Sequence, residues 1–539
     1  MNYWFFNYTK QSALKFPSAA LARESTLFEI APAEYWEAYY RGKKGKKIDL
    51  SAACSNLMQE CEQKGYFSPG DMRGRGAWQD KGGIVFNTGA AIITETDTVS
   101  ISDYESEFAY TRGAQLDVAA VAPLSDDTAR EMASIFKLVN FERISSRYML
   151  AGWSVLAPFC GALGWRPHVW INGEAGSGKS WIIQNIVRQM VGDAFCIPVQ
   201  GSTTEAGIRQ TLGADALPVV FDEADAENEA ASARIKNILE FARSASHSDG
   251  GRIVKGGMGG AGASGSNAKS MFLFGSIVVS TMQESDITRI TNIGITTARD
   301  IEKDRRWMEL QAGVSRLFTA ANCAALRART LKNLPTIKKN IAIFKTVLRD
   351  ILGDQRAADQ IGTLLAGAYS LHKSEEITRE QALELASKFD WREDRRDKSD
   401  TDSDRLLSRI RETIVKLDLP RGSMSLSVGE LVEIAARRSN PSNEAIQNYN
   451  VADHLGRIGL IADDDGFLYV SNNSIHIRQM LKGTAWGTNW HRVLMRVPGA
   501  TTDNSRRFAT VPSRCVGIPL KYLFEDAQYK ADDFGFIGQ

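Results

Sequence analysis

Eight consecutive residues constrain this chain more than any others. Gly173-Glu174-Ala175-Gly176-Ser177-Gly178-Lys179-Ser180 fill the pattern GxxxxGK[ST] at every position. Before them runs HVWI (168–171), a short apolar run of strand character. After them Ile182, Ile183, Ile186, Val187 and Met190 share one face of a helix that Gly192 can end. Strand, glycine loop and helix in that order make a parallel α/β unit. Its glycines let backbone N–H groups close on an anion at the helix N-terminus, where the dipole adds partial positive charge. Lys179 is placed to reach β- and γ-phosphates and the Ser180 hydroxyl to bind Mg²⁺, so ATP and Mg²⁺ are the expected ligands.

The second motif is Leu217-Pro218-Val219-Val220-Phe221-Asp222-Glu223, a buried run that ends in two carboxylates. Asp222 is expected to hold Mg²⁺ through water, and Glu223 to orient and activate the water that attacks the terminal phosphate. Asp225 and Glu227 read as the solvated start of the next helix. A third strand, Ile277-Val278-Val279, ends in Ser280-Thr281, and either hydroxyl is a candidate sensor of the γ-phosphate. Arg289 follows in SDITRI; an arginine so placed can reach a neighbouring subunit's ATP and stabilise transition-state charge.

Both motifs fall inside a chain of 539 residues, beyond the ~250–300 at which one core usually splits. The fold class expected is α/β: a P-loop core with a parallel sheet, a small N-terminal α+β domain, a helical region and a C-terminal winged-helix-like domain. Residues 1–95 form the N-terminal domain, with a helix from Leu50 to Lys64 and short strands around Ile84 and Phe86. Residues 96–145 are a polar connection with a helix around Asp127–Phe141. The core spans 146–300, and its strand-like runs are HVWI, ALPVVF (216–221) and FGSIVVS (274–280). Residues 301–404 are helices followed by the polar stretch WREDRRDKSDTDSD (391–404). Residues 405–539 hold helical patterns at 405–417 and 427–438, then a hairpin with Ile458–Ile461, an Asp465-Gly466 turn and Phe467–Val470.

Composition excludes more than it assigns. The net charge of +1 gives no global pull toward nucleic acid, so any such surface must be local. None of the six cysteines forms a CxxC pair, which argues against a zinc ribbon and a disulfide framework and suits a reducing cytoplasm. MNYWFFNYTK lacks the basic start of a signal peptide. Tyr148–Trp165 carries no charge and meets the length rule for a membrane helix, but Gly152, Pro158, Gly161 and Gly164 interrupt it and it leads into the glycine loop. It reads as a buried helix, and no membrane is expected.

Packed into about 110 residues, the three motifs resemble those of superfamily 3 helicases, which implies a P-loop core of the AAA+ type. The flanking text is similar to phage- and prophage-encoded replicative helicases of the primase-helicase type. It is carried by AGWSVLAPFCGALGWRPHVWINGEAGSGKS (151–180), TEAGIRQTL (204–212), LPVVFDEAD (217–225), RGRGAWQD (73–80), VLMRVPGA (493–500) and RRFATVPSRCVGIPL (506–520). The resemblance implies an ATP-hydrolysing DNA helicase: a hexameric ring with ATP between subunits, moving 3′ to 5′ on single-stranded or forked DNA in a bacterial host's cytoplasm. Two departures stand out. Superfamily 3 proteins usually carry Asn at the end of the sensor strand, where this chain has Ser280-Thr281. Primase-helicases also carry a polymerising domain, for which the first 150 residues are too few, so a separate primase or polymerase is an expected partner.

Between the second and third motifs, Gly250-Gly251-Arg252-Ile253-Val254-Lys255 leads into GGMGGAGASGSNA and Lys269. Superfamily 3 helicases place a β-hairpin with a basic tip there, and RIVK and KSMFLF are the candidate arms. Arg252, Lys255 and Lys269 are the expected phosphate contacts. The rival function is a nucleotide-dependent defence or regulatory ATPase that binds DNA without unwinding it.

Overall fold

Tight turns govern the first hundred residues. β1 (Asn2–Asn7) and β2 (Ser12–Pro17) pair antiparallel. Helices Glu24–Ile30, Ala33–Tyr39 and Leu50–Lys64 then gather around Leu27, Trp36, Ile48 and Ala53. The last is the expected helix, and Asp49 caps it by accepting the Ala52 N–H at 3.0 Å. After β3 (Met72–Arg73), the strands β4 (Gly76–Asp80), β5 (Gly83–Asn87), β6 (Ala91–Ile93) and β7 (Thr98–Ser100) form an antiparallel meander, and β8 (Ala109–Tyr110) runs parallel to β3. A domain boundary at residue 95 therefore cuts through a sheet. The polar residues there are a hairpin turn, closed by Thr94 N–H donating to Asp97 O at 2.8 Å, and Ile101 and Tyr110 complete the same core.

This computed structural model describes all residues except 1, 8–9, 44–45, 66, 68, 119–120, 223–228, 248–267, 277–288, 298–302, 392–401, 420–421, 437–445, 447–448, 464, 483, 485 and 525–539. The chain divides into two units, Met1–Asp390 and Trp391–Gln539.

Behind the meander stands a five-stranded parallel sheet: β9 (His168–Asn172), β10 (Ile197–Gln200), β11 (Val219–Asp222), β12 (Phe272–Ser276) and β13 (Ile290–Gly294). The strand order is β10-β11-β12-β9-β13, with every neighbour parallel. The chain leaves β9 toward one edge of the sheet and leaves β12 toward the other, so these adjacent strands flank a topological switch point. Ligands of open α/β sheets bind outside the carboxyl ends of strands at such a point. KSMFLF is not a hairpin arm. Phe272–Ser276 is wholly buried between β11 and β9, as expected where both faces of a parallel sheet are covered.

The uncharged stretch before the glycine loop is helix Ile144–Leu156 followed by a 3₁₀ segment, Ala157–Ala162, both buried. Gly152 explains how it packs. A Cβ there would stand 1.9 Å from Leu364 O of helix Gln355–Ser370, so only glycine permits this crossing. Among the described residues no helix is long and apolar enough to cross a membrane. Residues 301–390 supply the expected helices: Lys303–Leu317, Ala320–Leu352, Gln355–Ser370 and Arg379–Ser387.

In the second unit, helix Asp402–Glu412 ends earlier than its pattern suggests. β14 (Ile414–Leu419) and β15 (Gly422–Ser427) form a hairpin that takes residues 414–417 out of the expected helix 405–417. The reason is local: Thr413-Ile414-Val415 is β-branched. Helices Val428–Ala435 and Val451–Ile458 precede β16 (Leu460–Ala462) and β17 (Phe467–Ser471), with Gly466 in the left-handed region at φ +83°. β18 (Thr501–Phe508) and β19 (Val511–Pro519) extend this pair into a four-stranded antiparallel sheet ordered β16-β17-β19-β18. Leu406, Leu407 and Ile410 belong to this unit's core, so the helix that begins at Asp402 goes with the second unit rather than with residues 301–404.

Candidate nucleotide site

The glycine loop lies at the carboxyl end of β9, beside the switch point. Gly173 approaches the next strand so closely that a Cβ would stand 2.2 Å from Ile295 O. Gly176 and Gly178 hold φ of +81° and +90°, the left-handed region that L side chains rarely adopt. Gly178 directly precedes helix Lys179–Ile182, which continues through a π-turn, Ile183–Val187, into Arg188–Val191. The predicted apolar face (Ile182, Ile183, Ile186, Val187, Met190) is buried, and Gly192 ends the helix at φ +90°.

Lys179 Nζ donates to two carbonyls of its own loop, Gly173 O at 2.5 Å and Glu174 O at 3.1 Å. The cation is thus folded back over the loop, on neutral acceptors that phosphate oxygens can replace. Glu174, Ala175, Gly176 and Ser180 are exposed. Two oxygens at the site, Asn172 Oδ1 and Ser177 Oγ, are shielded and lack a protein partner. Exposed loop donors, a nearby cation and the unpaired Ser177 hydroxyl together suit a polyphosphate, whereas Asn172 Oδ1 can only accept and would face a donor or a cation.

Asp222 ends β11, whose neighbour β12 carries Gly275 at the facing position. A Cβ on Gly275 would stand 3.0 Å from Asp222 Oδ1 and 2.9 Å from Ile183 Cδ1. Gly275 therefore clears a path for the carboxylate toward the helix that begins with Lys179-Ser180. This device is invisible in sequence, because Asp222 and Gly275 are far apart along the chain. Trp181 and Trp307 pack together beside the loop, with centroids 4.7 Å apart. Trp307, on helix Lys303–Leu317, is exposed, and its ring comes within 3.9 Å of an ideal Cβ on Gly178. Sequence reading missed this aromatic wall; its only signal is a tryptophan directly after the GKS.

Other expected site residues fall elsewhere. Arg289 immediately precedes β13, and its carbonyl accepts the His168 N–H at 3.2 Å. Since Ile290 pairs with His168 and Gly294 with Asn172, Arg289 lies at the opposite end of the strands from the loop of its own chain. From Arg289 to the level of Gly294, five residue steps at ~3.3 Å make about 17 Å. Lys269 also lies at the amino end of the sheet, just before β12, with Nζ 5.3 Å from the centre of the Trp78 ring. The described part of β12 ends at Ser276, level with Asn172, and its hydroxyl accepts from Trp170 Nε1 at 2.7 Å. Ser276, unremarked in the sequence, is thus the polar residue that closes the described strand. Glu223, Ser280, Thr281, Arg252, Lys255 and the glycine tract lie outside the described residues.

At the foot of β9 the His168 ring is fully buried. Its Nδ1 accepts the Phe272 N–H at 3.0 Å, which leaves Nε2 to donate to Ala242 O at 2.7 Å. Burial pushes its pKa down to about 3, and Arg166 and Arg289 add to the effect. It is a structural histidine, held neutral.

No protein family matches the sequence, and no curated protein matches it either. Among solved structures, one described as "SCCmec type IV Cch - active helicase" is similar over 95% of this chain and 89% of that chain, at 13% identity and a TM-score of 0.45.

Proposed function

We propose that this chain is an ATP-driven DNA helicase of the superfamily 3 type, acting in the replication of phage or other mobile DNA. The observation that carries the reading is one juxtaposition. A glycine loop with an exchangeable lysine lies at the switch point of a parallel sheet, and Gly275 lets the Asp222 carboxylate face the helix that leaves the loop. Lys179 would leave its carbonyls for the β- and γ-phosphates. Ser180 and Asp222 would hold Mg²⁺, which when bound neutralises charge developing on the phosphates. Glu223, next to Asp222 in sequence, would orient the attacking water. The Trp181–Trp307 pair would wall one side of the loop.

Arg289 supports assembly rather than action within one chain. Its distance from its own loop favours a role at a neighbour's nucleotide over one at its own, as in a ring with ATP between subunits. Arg252 and Lys255 remain the proposed grips on the DNA backbone, whereas Lys269 is engaged by Trp78. A bacterial cytoplasm and a separate primase complete the reading.

The test is strand displacement from a forked duplex carrying either single-stranded tail. Wild type should displace the strand with ATP, while Glu223→Gln should bind ATP, not turn it over, and displace nothing. ATP hydrolysis with no displacement from either fork would favour the rival function, a DNA-binding ATPase that does not unwind.

A further inference from the structure

The densest positive charge in the chain is far from the nucleotide loop in sequence. Arg41-Gly42-Lys43-Lys44-Gly45-Lys46-Lys47 holds five cations in seven positions, and no other seven-residue window holds as many. Net charge for the whole chain is only +1, so this is a local concentration. We propose that Arg41, Lys43, Lys46 and Lys47, with the adjoining tyrosines Tyr35 and Tyr39, form a binding surface for single-stranded DNA.

The loop is anchored at its base. Asp49 N–H donates to Tyr40 O at 2.7 Å and Gly42 N–H to Lys47 O at 3.2 Å, and Arg41 bridges Ile48. Ile48 is buried against Leu27, Trp36 and Ala53. Gly42 makes the closure possible, since a Cβ there would stand 2.4 Å from Lys46 O. On this base Arg41, Lys43, Lys46 and Lys47 are all exposed. Lys47 lies 3.7 Å from Glu37, whereas Arg41, Lys43 and Lys46 have no carboxylate partner among the described residues. Of the nearby acids, Asp49 is occupied in capping the next helix and Glu34 sits in the first turn of its own.

Aromatic faces adjoin the charge. Helix Ala33–Tyr39 is pinned by Trp36, which is buried and whose indole N–H reaches Leu27 O and Ala31 O at 2.8 and 2.9 Å. Tyr35 and Tyr39 project from the same helix, 44% and 73% exposed, with ring centres 4.8 Å apart. Tyr35 also packs edge-on against Trp36, whereas Tyr39 rests only on Tyr35 among the described rings and leaves most of its surface to solvent. Cations that track a phosphate backbone beside aromatic rings on which bases stack are the two parts of a sequence-tolerant single-strand site. An acidic peptide would use the lysines and leave the rings without a role.

The proposal deepens the DNA-motor reading, and the test keeps the two apart. A labelled oligo-dT is titrated by anisotropy into wild type, Tyr39→Ala and the triple variant Arg41→Ala/Lys43→Ala/Lys46→Ala across a salt series. Three phosphate contacts at ~0.7 each should lower the salt slope by about 2 in the triple variant. Tyr39→Ala should weaken binding roughly fivefold or more with the slope retained. DNA-free ATPase and thermal melting should stay at wild-type values, because the altered side chains are exposed and outside the nucleotide site. Wild-type affinity and slope in the triple variant overturn this surface while leaving the motor reading intact. So does unchanged oligonucleotide binding alongside lost binding to phosphatidylserine vesicles. Failure of wild type to bind oligo-dT at all removes both.

Discussion

Two segments of this chain use glycine and a cation side by side, to opposite ends. In Gly173–Ser180 the glycines bring the backbone against β13 and into left-handed turns, and the cation rests on two loop carbonyls. In Arg73-Gly74-Arg75-Gly76 the glycines also permit close approach: a Cβ would stand 2.2 Å from Asp215 Oδ1 at Gly74 and 2.5 Å from Ala216 O at Gly76. Here, however, every group is answered by protein. Gly74 N–H donates to Ala214 O and Ala216 N–H to Arg75 O, both at 2.8 Å. Arg75 forks onto Asp215 through Nε at 2.9 Å and Nη2 at 2.6 Å. Arg73 is buried, with its guanidinium 3.2 Å from the centre of the Phe108 ring. The first segment rests its cation on carbonyls of its own loop. The second spends its donors fastening the N-terminal meander to the segment that leads into β11. A saturated cation is architecture, and one parked on replaceable carbonyls is a candidate for binding.

The contrast breaks most sharply at Lys179. Lys179→Ala should lower ATP hydrolysis by roughly 10²–10³-fold, the scale for removing a preorganised charge from a transition state. Melting should hardly change, since Lys179 stabilises only partly exposed carbonyls. A large drop in melting temperature would move this lysine into the architectural class.

Asp215→Ala should do the reverse. Arg75 and Asp215 are about one-fifth and one-sixth exposed, so the orphaned arginine should cost about 3 kcal/mol, the low end for a broken buried pair. The expected signature is a lower denaturant midpoint for the first unit with ATP binding retained under native conditions. Lost nucleotide affinity at unchanged stability would mean that the clasp belongs to the site.

The smallest effect sharpens the same comparison under β9. His168 takes up a proton near pH 6.5 when unfolded but only at about 3 when folded. The unfolded state therefore binds more protons in this window, and stability must fall as pH drops through it. The loss is roughly 1 kcal/mol between pH 6.5 and 5.5, and ~1.4 kcal/mol per unit below that until the folded value is approached. Urea titrations of wild type and His168→Gln at those two pH values read this directly. The variant should show a flatter dependence whatever its starting stability, and equal slopes would falsify the neutral assignment.

Sequence by itself determined what depends on neighbours in the chain. The strand–loop–helix, the buried face of Ile182 to Met190 and the Leu50–Lys64 helix follow from periodicity and glycine placement. The helical reading of Tyr148–Trp165 also held, as helix Ile144–Leu156 and the buried 3₁₀ turn that follows it. Where local signals compete, as at Thr413–Leu419, the β-branched run overrode an apparent helical spacing. Tertiary structure alone decided the rest. Strand order places Asp222 over Gly275, carries Arg289 to the far end of the sheet and makes KSMFLF a central strand rather than a hairpin arm. It also clasps RGRG onto residues 214–216. The physical reason is the parallel sheet: its strands meet only through long crossovers, so which residues face each other depends on register between distant segments.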